Sequence, residues 1–181
     1  MHSLLTGFAH RHHRCRGRLP ATQAAVTTLL ALAWTAADAA GSVDCAVSTS
    51  GVAFGVYDAT LNTPNDATGP LTVTCTHVSG GASRVSYALA LSTGSSGNYA
   101  QRLLRAGTAT LNYNLFDSAT RTRVWGNGTG GTGLVGGTLV VGPGSGNNNR
   151  QVSHPVYGRI PAQQDAATGT YGDSILVTLT F

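Results

Sequence analysis

The sequence contains no lysine and no glutamate, and it has only one methionine. These residues are among the strong helix formers, so their scarcity disfavours a helical fold. Glycine contributes 24 residues and stands beside many Thr, Ser, Asn and Val residues, a composition typical of short strands joined by tight turns. The sequence therefore predicts an all-β protein.

A long apolar run is also missing. Residues 24–37 form an apolar run of 14 residues, which is too short to cross a bilayer. This run follows a basic segment and precedes small residues at Ala37 and Ala39, the order found in a secretory signal and its cleavage site. The basic segment carries Arg11, Arg14, Arg16 and Arg18. We expect a signal peptide at residues 1–39 and one exported domain at residues 40–181.

Little net charge remains once the predicted signal is removed. Four of the eleven Arg and one of the seven Asp lie in residues 1–39, which leaves seven Arg against six Asp and a formal charge of +1. Nucleic-acid-binding proteins need a basic patch, and the mature sequence shows none. We therefore expect no nucleic acid among its partners.

Cysteine is scarce, and its placement is informative. Cys15 lies in the predicted signal, which leaves Cys45 and Cys75. An even pair in an exported protein predicts a disulfide; closing a loop of about 30 residues stabilises a fold by roughly 3–4 kcal/mol. Two free buried thiols are the alternative. A zinc site is disfavoured because His77 and His154 do not form the close ligand pair of such sites, so we expect neither a metal nor a cofactor.

Apolar and polar residues alternate along most of the mature chain, the period that predicts strands. The predicted strands cover residues 43–47, 71–75, 85–91, 111–116, 138–141 and 152–156. Residues 52–57 are predicted to continue the first strand after a bend, and residues 58–70 to form a loop. Seven or eight short strands without helical periodicity indicate a β-sandwich or a barrel.

The stretch at residues 171–181 alternates most clearly. One row of it consists of Ile175, Val177, Leu179 and Phe181. An ordinary strand with a neighbour on each side is one interpretation. The other is a strand beside a gap that another chain fills, because a long apolar strand with an open edge needs a cover.

No motif supports catalysis. The glycines at residues 128–133 match part of a dinucleotide-binding pattern, but that pattern requires a strand before it and a helix after it. Gly172-Asp173-Ser174 lacks the downstream acid and histidine of a catalytic triad. Asn127-Gly128-Thr129 fits a glycosylation sequon, a pattern too short to carry weight alone. We expect no catalytic residues and no enzymatic activity.

Six segments resemble, in order and spacing, the spore coat protein U domain family, which includes the Csu-type archaic chaperone–usher pilins. They are residues 45–58, Leu71-Thr-Val-Thr-Cys-Thr76, Leu111-Asn-Tyr-Asn-Leu-Phe116, Val124-Trp-Gly126, Val156-Tyr-Gly-Arg-Ile160 and Gly169-Thr-Tyr-Gly-Asp-Ser174. The resemblance runs from Cys45 to Phe181 and so covers nearly all of the mature chain.

The resemblance implies an incomplete immunoglobulin-like β-sandwich that lacks its final strand and is held by the Cys45–Cys75 bridge. The resemblance also implies three kinds of partner: a periplasmic chaperone, an outer-membrane usher and neighbouring pilus subunits. The chaperone and then a neighbour supply the missing strand by β-augmentation. The expected groove residues are Val52, Phe54, Ile175, Val177, Leu179 and Phe181.

One feature departs from a polymerising pilin of this family, which needs a donor segment ahead of its first cysteine. If cleavage follows Ala39, only residues 40–44 are available, and they span roughly 17 Å at about 3.3 Å per residue. Val43 is their single large apolar side chain. We therefore expect a subunit that accepts a strand without donating one, at the tip or cap of a pilus.

These observations favour a secreted, non-enzymatic subunit of a Csu-type pilus at the cell surface, with a role in adhesion or biofilm formation. The alternative is a spore or cell-surface coat protein of the same fold that builds no fibre. A carbohydrate-binding or hydrolytic sandwich would need exposed aromatic clusters or paired carboxylates, and the sequence shows neither clearly.

Overall fold

The computed structural model describes residues 3–5, 41–144 and 146–181. The predicted signal cleavage site lies outside these residues. The described strands are β1 (Ser3–Leu5), β2 (Ser42–Thr49), β3 (Asn65–Ser79), β4 (Ser83–Leu91), β5 (Arg102–Ala106), β6 (Ala109–Phe116), β7 (Val135–Val141), β8 (Asn149–Ile160), β9 (Tyr171–Asp173) and β10 (Val177–Thr180). A 3₁₀ turn at Gly94–Ser96 is the one helical element among them, which confirms the all-β prediction.

The strands form two sheets. The larger has the order β1-β9-β5-β6-β8-β3-β2 and the smaller has the order β10-β4-β7. Tyr87 on β4 hydrogen-bonds His154 on β8 across 2.8 Å, so the sheets face each other. Trp125 is fully buried, and its indole N–H donates to the carbonyl of Leu89 on β4 at 3.0 Å. The result is a β-sandwich whose core lies between the two sheets.

The period of two accounts for what each strand buries. On β3, Leu71, Val73 and Cys75 are 0–1% exposed, whereas Thr72 and Thr74 between them point outwards. β3 pairs with β8 over residues 65–76 on one side and with β2 over residues 71–79 on the other. The larger sheet is therefore continuous through its centre, with one apolar face turned to the core.

The predicted disulfide is confirmed. Cys45 on β2 lies directly opposite Cys75 on β3, and their Cα atoms are 4.1 Å apart. The bond therefore joins neighbouring strands at the inner face of the larger sheet. Both residues are buried, which shields the sulfur atoms from solvent.

The prediction that residues 52–57 continue the first strand was wrong. Gly51 and Gly55 have φ angles of 78° and 70°, which glycine adopts readily and other residues rarely do. These two positions interrupt the extended backbone. Val52, Phe54 and Tyr57 are nevertheless buried, so the alternation in this segment reports packing without strand pairing.

The prediction that residues 58–70 form a loop was correct only for its first part, because β3 begins at Asn65. Pro70 lies opposite Pro155 in the β3–β8 pair. Neither proline has an amide hydrogen, so this pair must occupy a position that needs no cross-strand hydrogen bond. On the side away from β8, Pro70 lies beyond the last residue pair of β2 and β3; on the side away from β3, Pro155 lies beyond the last residue pair of β6 and β8. Neither proline therefore costs the sheet a backbone hydrogen bond.

Candidate strand-binding edge

The described residues form an incomplete immunoglobulin-like sandwich in which β10 pairs with β4 on one side and has no described strand on the other. The backbone N–H of Ser92 donates to the carbonyl of Leu176 at 2.9 Å. Alternate residues of an antiparallel strand direct their backbone groups to the same side. Leu176, Thr178 and Thr180 therefore turn their N–H and C=O groups towards β4.

Val177 and Leu179 consequently direct their backbone groups away from β4, to the unpaired side of β10. The contacts of β4 agree with this assignment. Leu91 lies opposite Val177 but donates its N–H to the carbonyl of Gly126 at 3.0 Å. The outer edge of β10 thus offers donors and acceptors at the spacing that an added strand requires.

The side chains of β10 divide into two rows. Ile175, Val177 and Leu179 are half-buried and pack against the core. Phe181, in the same row, is 55% exposed. These four residues are called the inner row below. Three of them therefore face the core beside the open edge, and the fourth extends past the last pair of β10.

The edge of β10 lies close to the edge of the larger sheet. Parts of β10 approach β2 to within 8 Å between Cα atoms, and β2 is the terminal strand of its sheet. No described strand pairs with the outer side of either one. The two open edges therefore lie close together on the same side of the sandwich. At the other end of the larger sheet, β1 pairs with β9 in parallel.

Val52 and Phe54, expected on the far side of the gap, are only 2% and 5% exposed. Both side chains pack over Gly158 on β8, and the Phe54 ring makes an edge-to-face contact with Tyr113 on β6, with centroids 5.9 Å apart. They belong to the core against which the inner row packs. Their side chains contact β6 and β8, and their assignment to the groove stays a prediction.

A buried arginine lies behind the start of β10. Arg102 on β5 is 0% exposed. Its guanidinium donates to the carbonyl of Ser92 at 2.7 and 3.0 Å, to that of Trp125 at 2.8 Å and to Oδ1 of Asn114 at 2.7 Å. Because the backbone N–H of Ser92 also donates to the carbonyl of Leu176, Arg102 links the larger sheet to the point where β10 begins.

Asp173 on β9 completes this polar cluster and is 7% exposed. Its carboxylate accepts hydrogen bonds from the hydroxyl of Tyr113 at 2.7 Å and from the backbone N–H groups of Ser95 and Ser174 at 2.9 Å. Gly94 fits above it because a Cβ there would lie 2.0 Å from a carboxylate oxygen. The Gly172-Asp173-Ser174 motif therefore has a structural role in fixing the turn before β10.

The surroundings set the protonation of this cluster. Burial raises the pKa of the Tyr113 hydroxyl, and the charge of Asp173 raises it further. Tyr113 thus remains a neutral donor. Burial lowers the pKa of Arg102, opposed by Tyr113, Tyr99 and Asp173, and a guanidinium keeps its charge because its ordinary pKa is so high. The cluster holds a buried cation and a buried carboxylate that interact electrostatically, each with its own set of hydrogen-bond partners.

Sequence reasoning missed Arg102 and Asp173 as buried residues, although the signal was present. Arg102 stands two residues before Leu104, and Asp173 stands two after Tyr171; both apolar neighbours are buried. The period of two therefore placed each charge on the inner face. The partners of Arg102 lie 10 to 23 residues away in sequence, and no local pattern identifies them.

The described residues contain no group of three or more His, Cys, Asp or Glu side chains that could hold a metal ion. None of the helices in that part of the chain is long and apolar enough to span a membrane.

Comparison with known proteins gives a consistent relationship. Residues 31–178 match the family model described as the Spore Coat Protein U domain. The chain is 35% identical over 135 residues to Protein U of Myxococcus xanthus, which covers 71% of this chain and 70% of that protein.

Among solved structures, the chain is similar to one in the CsuC–CsuE chaperone–tip adhesion subunit pre-assembly complex from archaic chaperone–usher Csu pili of Acinetobacter baumannii. The TM-score is 0.44 and the sequence identity is 20%. The similarity covers 77% of this chain and spans 40% of the length of that one.

Proposed function

The chain belongs to the Spore Coat Protein U domain family, and we propose that it is an exported structural subunit whose β10 edge accepts a strand from a partner protein. The observation that carries this proposal is the outer side of β10, where no described strand pairs with the backbone groups of Val177 and Leu179 and where a half-buried apolar row lies beside them. An edge of this kind is a template for strand addition.

Strand addition would provide hydrogen-bond partners for the backbone of β10 and would cover its apolar inner row. Each new backbone hydrogen bond contributes about 0.5–1.5 kcal/mol net, and alternate side chains of the donor would cover the inner row. Phe181, at 55% exposed, has the most apolar surface to lose. We place Ile175, Val177, Leu179 and Phe181 on one side of the groove, with Val52 and Phe54 contributing from the core.

The proposed partners are a periplasmic chaperone during export, then an outer-membrane usher and a neighbouring pilus subunit. The ordered resemblance of six segments to Csu-type pilins supports this choice. The assembled protein would lie on the cell surface in a pilus that serves attachment or biofilm formation. A coat protein of the same fold that builds no fibre is the second candidate, and the family description and the identity with Protein U favour it.

The start of the mature chain determines its place in a pilus. A mature protein that begins at Ala40 would have too short a segment ahead of Cys45 to reach into a neighbour, and it would occupy a terminal position. A start near Ala24 would leave a long apolar donor segment and would make the protein a polymerising subunit. Intact-mass and N-terminal analysis of the exported protein distinguishes these results.

The partner is tested by isolating the exported protein from the periplasm and identifying what co-purifies. Val177→Thr places a hydroxyl in the inner row at nearly constant volume, and Thr178→Val is the matched reverse change in the outer row. We expect a chaperone to co-purify with the parent and with Thr178→Val, and to be reduced with Val177→Thr. A folded, monodisperse parent that captures no partner at any stage of export would contradict strand acceptance; capture without an usher would favour the coat protein.

A further inference from the structure

The loop at residues 126–133 joins the buried Trp125 to the strand β7 and contains the exposed dipeptide Asn127-Gly128. Its base is fixed, because the N–H of Gly126 donates to the carbonyl of Gly133 at 3.0 Å. The dipeptide thus lies in a solvent-accessible turn whose base is closed by a backbone hydrogen bond. The proposed strand acceptance does not involve it.

The amide of Asn127 is held from one side only. Its Oδ1 accepts hydrogen bonds from the backbone N–H of Thr129 at 3.1 Å and from the Thr129 hydroxyl at 2.7 Å. Within the described residues, its Nδ2 has no hydrogen-bond partner. Donors at a carbonyl oxygen stabilise the negative charge that develops there when a nucleophile adds to the carbon. The arrangement therefore activates Cγ and leaves the amide nitrogen free to depart.

We propose that Asn127 is a site of spontaneous deamidation in which the backbone nitrogen of Gly128 is the nucleophile. Hydroxide removes the proton from this nitrogen, and a bond forms between the nitrogen and Cγ of Asn127. The bond from Cγ to Nδ2 breaks, and ammonia leaves after taking a proton from water. Water then opens the cyclic imide at either carbonyl, giving aspartate or isoaspartate. No oxidant, reductant or enzyme is required.

Gly128 suits this role because it has no side chain to cover its nitrogen. Its φ angle of 84° belongs to the region that favours glycine. One contact restrains it: its N–H donates to the hydroxyl of Thr132 at 3.1 Å. Thr129 and Thr132 therefore have opposite effects, the first activating the carbon that is attacked and the second restraining the nitrogen that attacks.

The modification would reach the edge of β10. Isoaspartate adds one carbon to the backbone of the loop, next to Gly126. The carbonyl of Gly126 accepts the N–H of Leu91, which lies opposite Val177 on β10. Conversion of Asn127 would therefore disturb the support of the strand that borders the open edge.

Asn98 provides an internal control. It is exposed, and its Oδ1 also accepts a backbone N–H two residues on, that of Ala100, at 2.9 Å. It is followed by Tyr99, whose side chain restricts access to the backbone nitrogen. The two asparagines share a turn geometry and differ in the residue that supplies the nucleophile.

The test is incubation of the folded, oxidised protein in warm, mildly alkaline buffer, followed by tryptic peptide mapping and isoaspartate detection. Cleavage at arginine places Asn127 in the peptide of residues 124–150 and Asn98 in that of residues 85–102. We expect conversion at Asn127 to be at least several-fold faster than at Asn98. Equal rates at the two sites would overturn the proposal.

Two variants separate the folded loop from the intrinsic chemistry of the dipeptide. Thr129→Val should slow conversion several-fold, and Thr132→Val should accelerate it. Thr110→Val, the same change on an exposed position of β6, should leave the rate unaltered. In denaturant all four proteins should convert at one rate. A folded-state rate that neither loop variant changes would overturn the assigned activation at Asn127.

Discussion

The strands β3 and β10 lie in facing sheets and differ in how completely their backbones are paired. β3 pairs with β2 on one side and β8 on the other and carries Cys75 of the disulfide. β10 pairs with β4 alone among the described strands. From Leu71 to Cys75 the alternate apolar side chains of β3 are fully buried, whereas those of β10 are only half-buried. An apolar row is therefore enough to pack a strand against the core, and complete burial accompanies backbone pairing on both sides.

The largest predicted effect comes from removing Arg102, which links the larger sheet to the start of β10. Arg102→Met leaves the carbonyls of Ser92 and Trp125 buried without their donor, and it removes the cation near Asp173. We expect the free energy of unfolding to fall by about 3–5 kcal/mol, measured by urea denaturation. Arg105→Met is the matched control, because Arg105 lies on the same strand with an exposed side chain. Equal losses in both variants would contradict the role given to Arg102.

The next largest effect concerns the disulfide between β2 and β3 in the larger sheet. Cys45→Ala removes the bond between β2 and β3, and we expect a loss of about 3–4 kcal/mol, because the unfolded chain is no longer constrained by the loop. Thermal unfolding of the oxidised parent and the variant measures this loss. The reduced parent should melt close to the variant. If oxidised parent, reduced parent and variant all melt together, the disulfide does not stabilise the domain.

A smaller effect tests whether Val52 and Phe54 are core or groove residues. In Gly158→Ala the added Cβ would lie 2.5 Å from the Phe54 ring and 2.9 Å from Val52. We expect overpacking to cost about 1–3 kcal/mol in chemical denaturation. Gly81→Ala is the control, since nothing lies within 4 Å of a Cβ there. An undisturbed Gly158→Ala protein would mean that both side chains can leave β8 and face the gap.

The smallest effect concerns pH. Burial lowers the pKa of His154, which hydrogen-bonds Tyr87 across the sandwich. The folded protein therefore binds this proton less readily than the unfolded chain, whose histidine pKa is about 6.5. The contribution to stability is complete above that pH and is lost progressively as the pH falls below it.

Melting temperatures from neutral to mildly acidic pH test this contribution. His154→Gln should flatten the pH dependence, whereas His77→Gln should retain it. Parallel curves for the parent and His154→Gln would contradict the assignment.

Alternation in the sequence was sufficient to predict the apolar rows of β3 and β10, because burial on one face imposes a period of two. It was misleading at residues 52–57, where the same alternation occurs between two glycines with positive φ and no partner strand forms. It also failed to predict Asn65–Pro70 as strand, because the sequence does not show that Pro70 lies opposite Pro155 at a position that needs no cross-strand hydrogen bond.

The inner row is local in sequence, and three of its four residues, Ile175, Val177 and Leu179, pack against the core. Its assignment to a groove stays a prediction. The free backbone side of β10 depends on which strands pair in the fold. The cluster of Arg102, Asp173 and Tyr113 depends on contacts between segments distant in sequence. Neither can be deduced from spacing along the chain.

The most direct measurement of strand acceptance is amide hydrogen exchange along β10 in the isolated oxidised domain and in the complex with its co-purifying partner. We expect Thr178 and Thr180, whose amides face β4, to be protected in both states. Val177 and Leu179 should exchange rapidly in the isolated domain and become protected in the complex. Protection of Val177 and Leu179 equal to that of Thr178 and Thr180 before any partner is bound would contradict an open edge at β10.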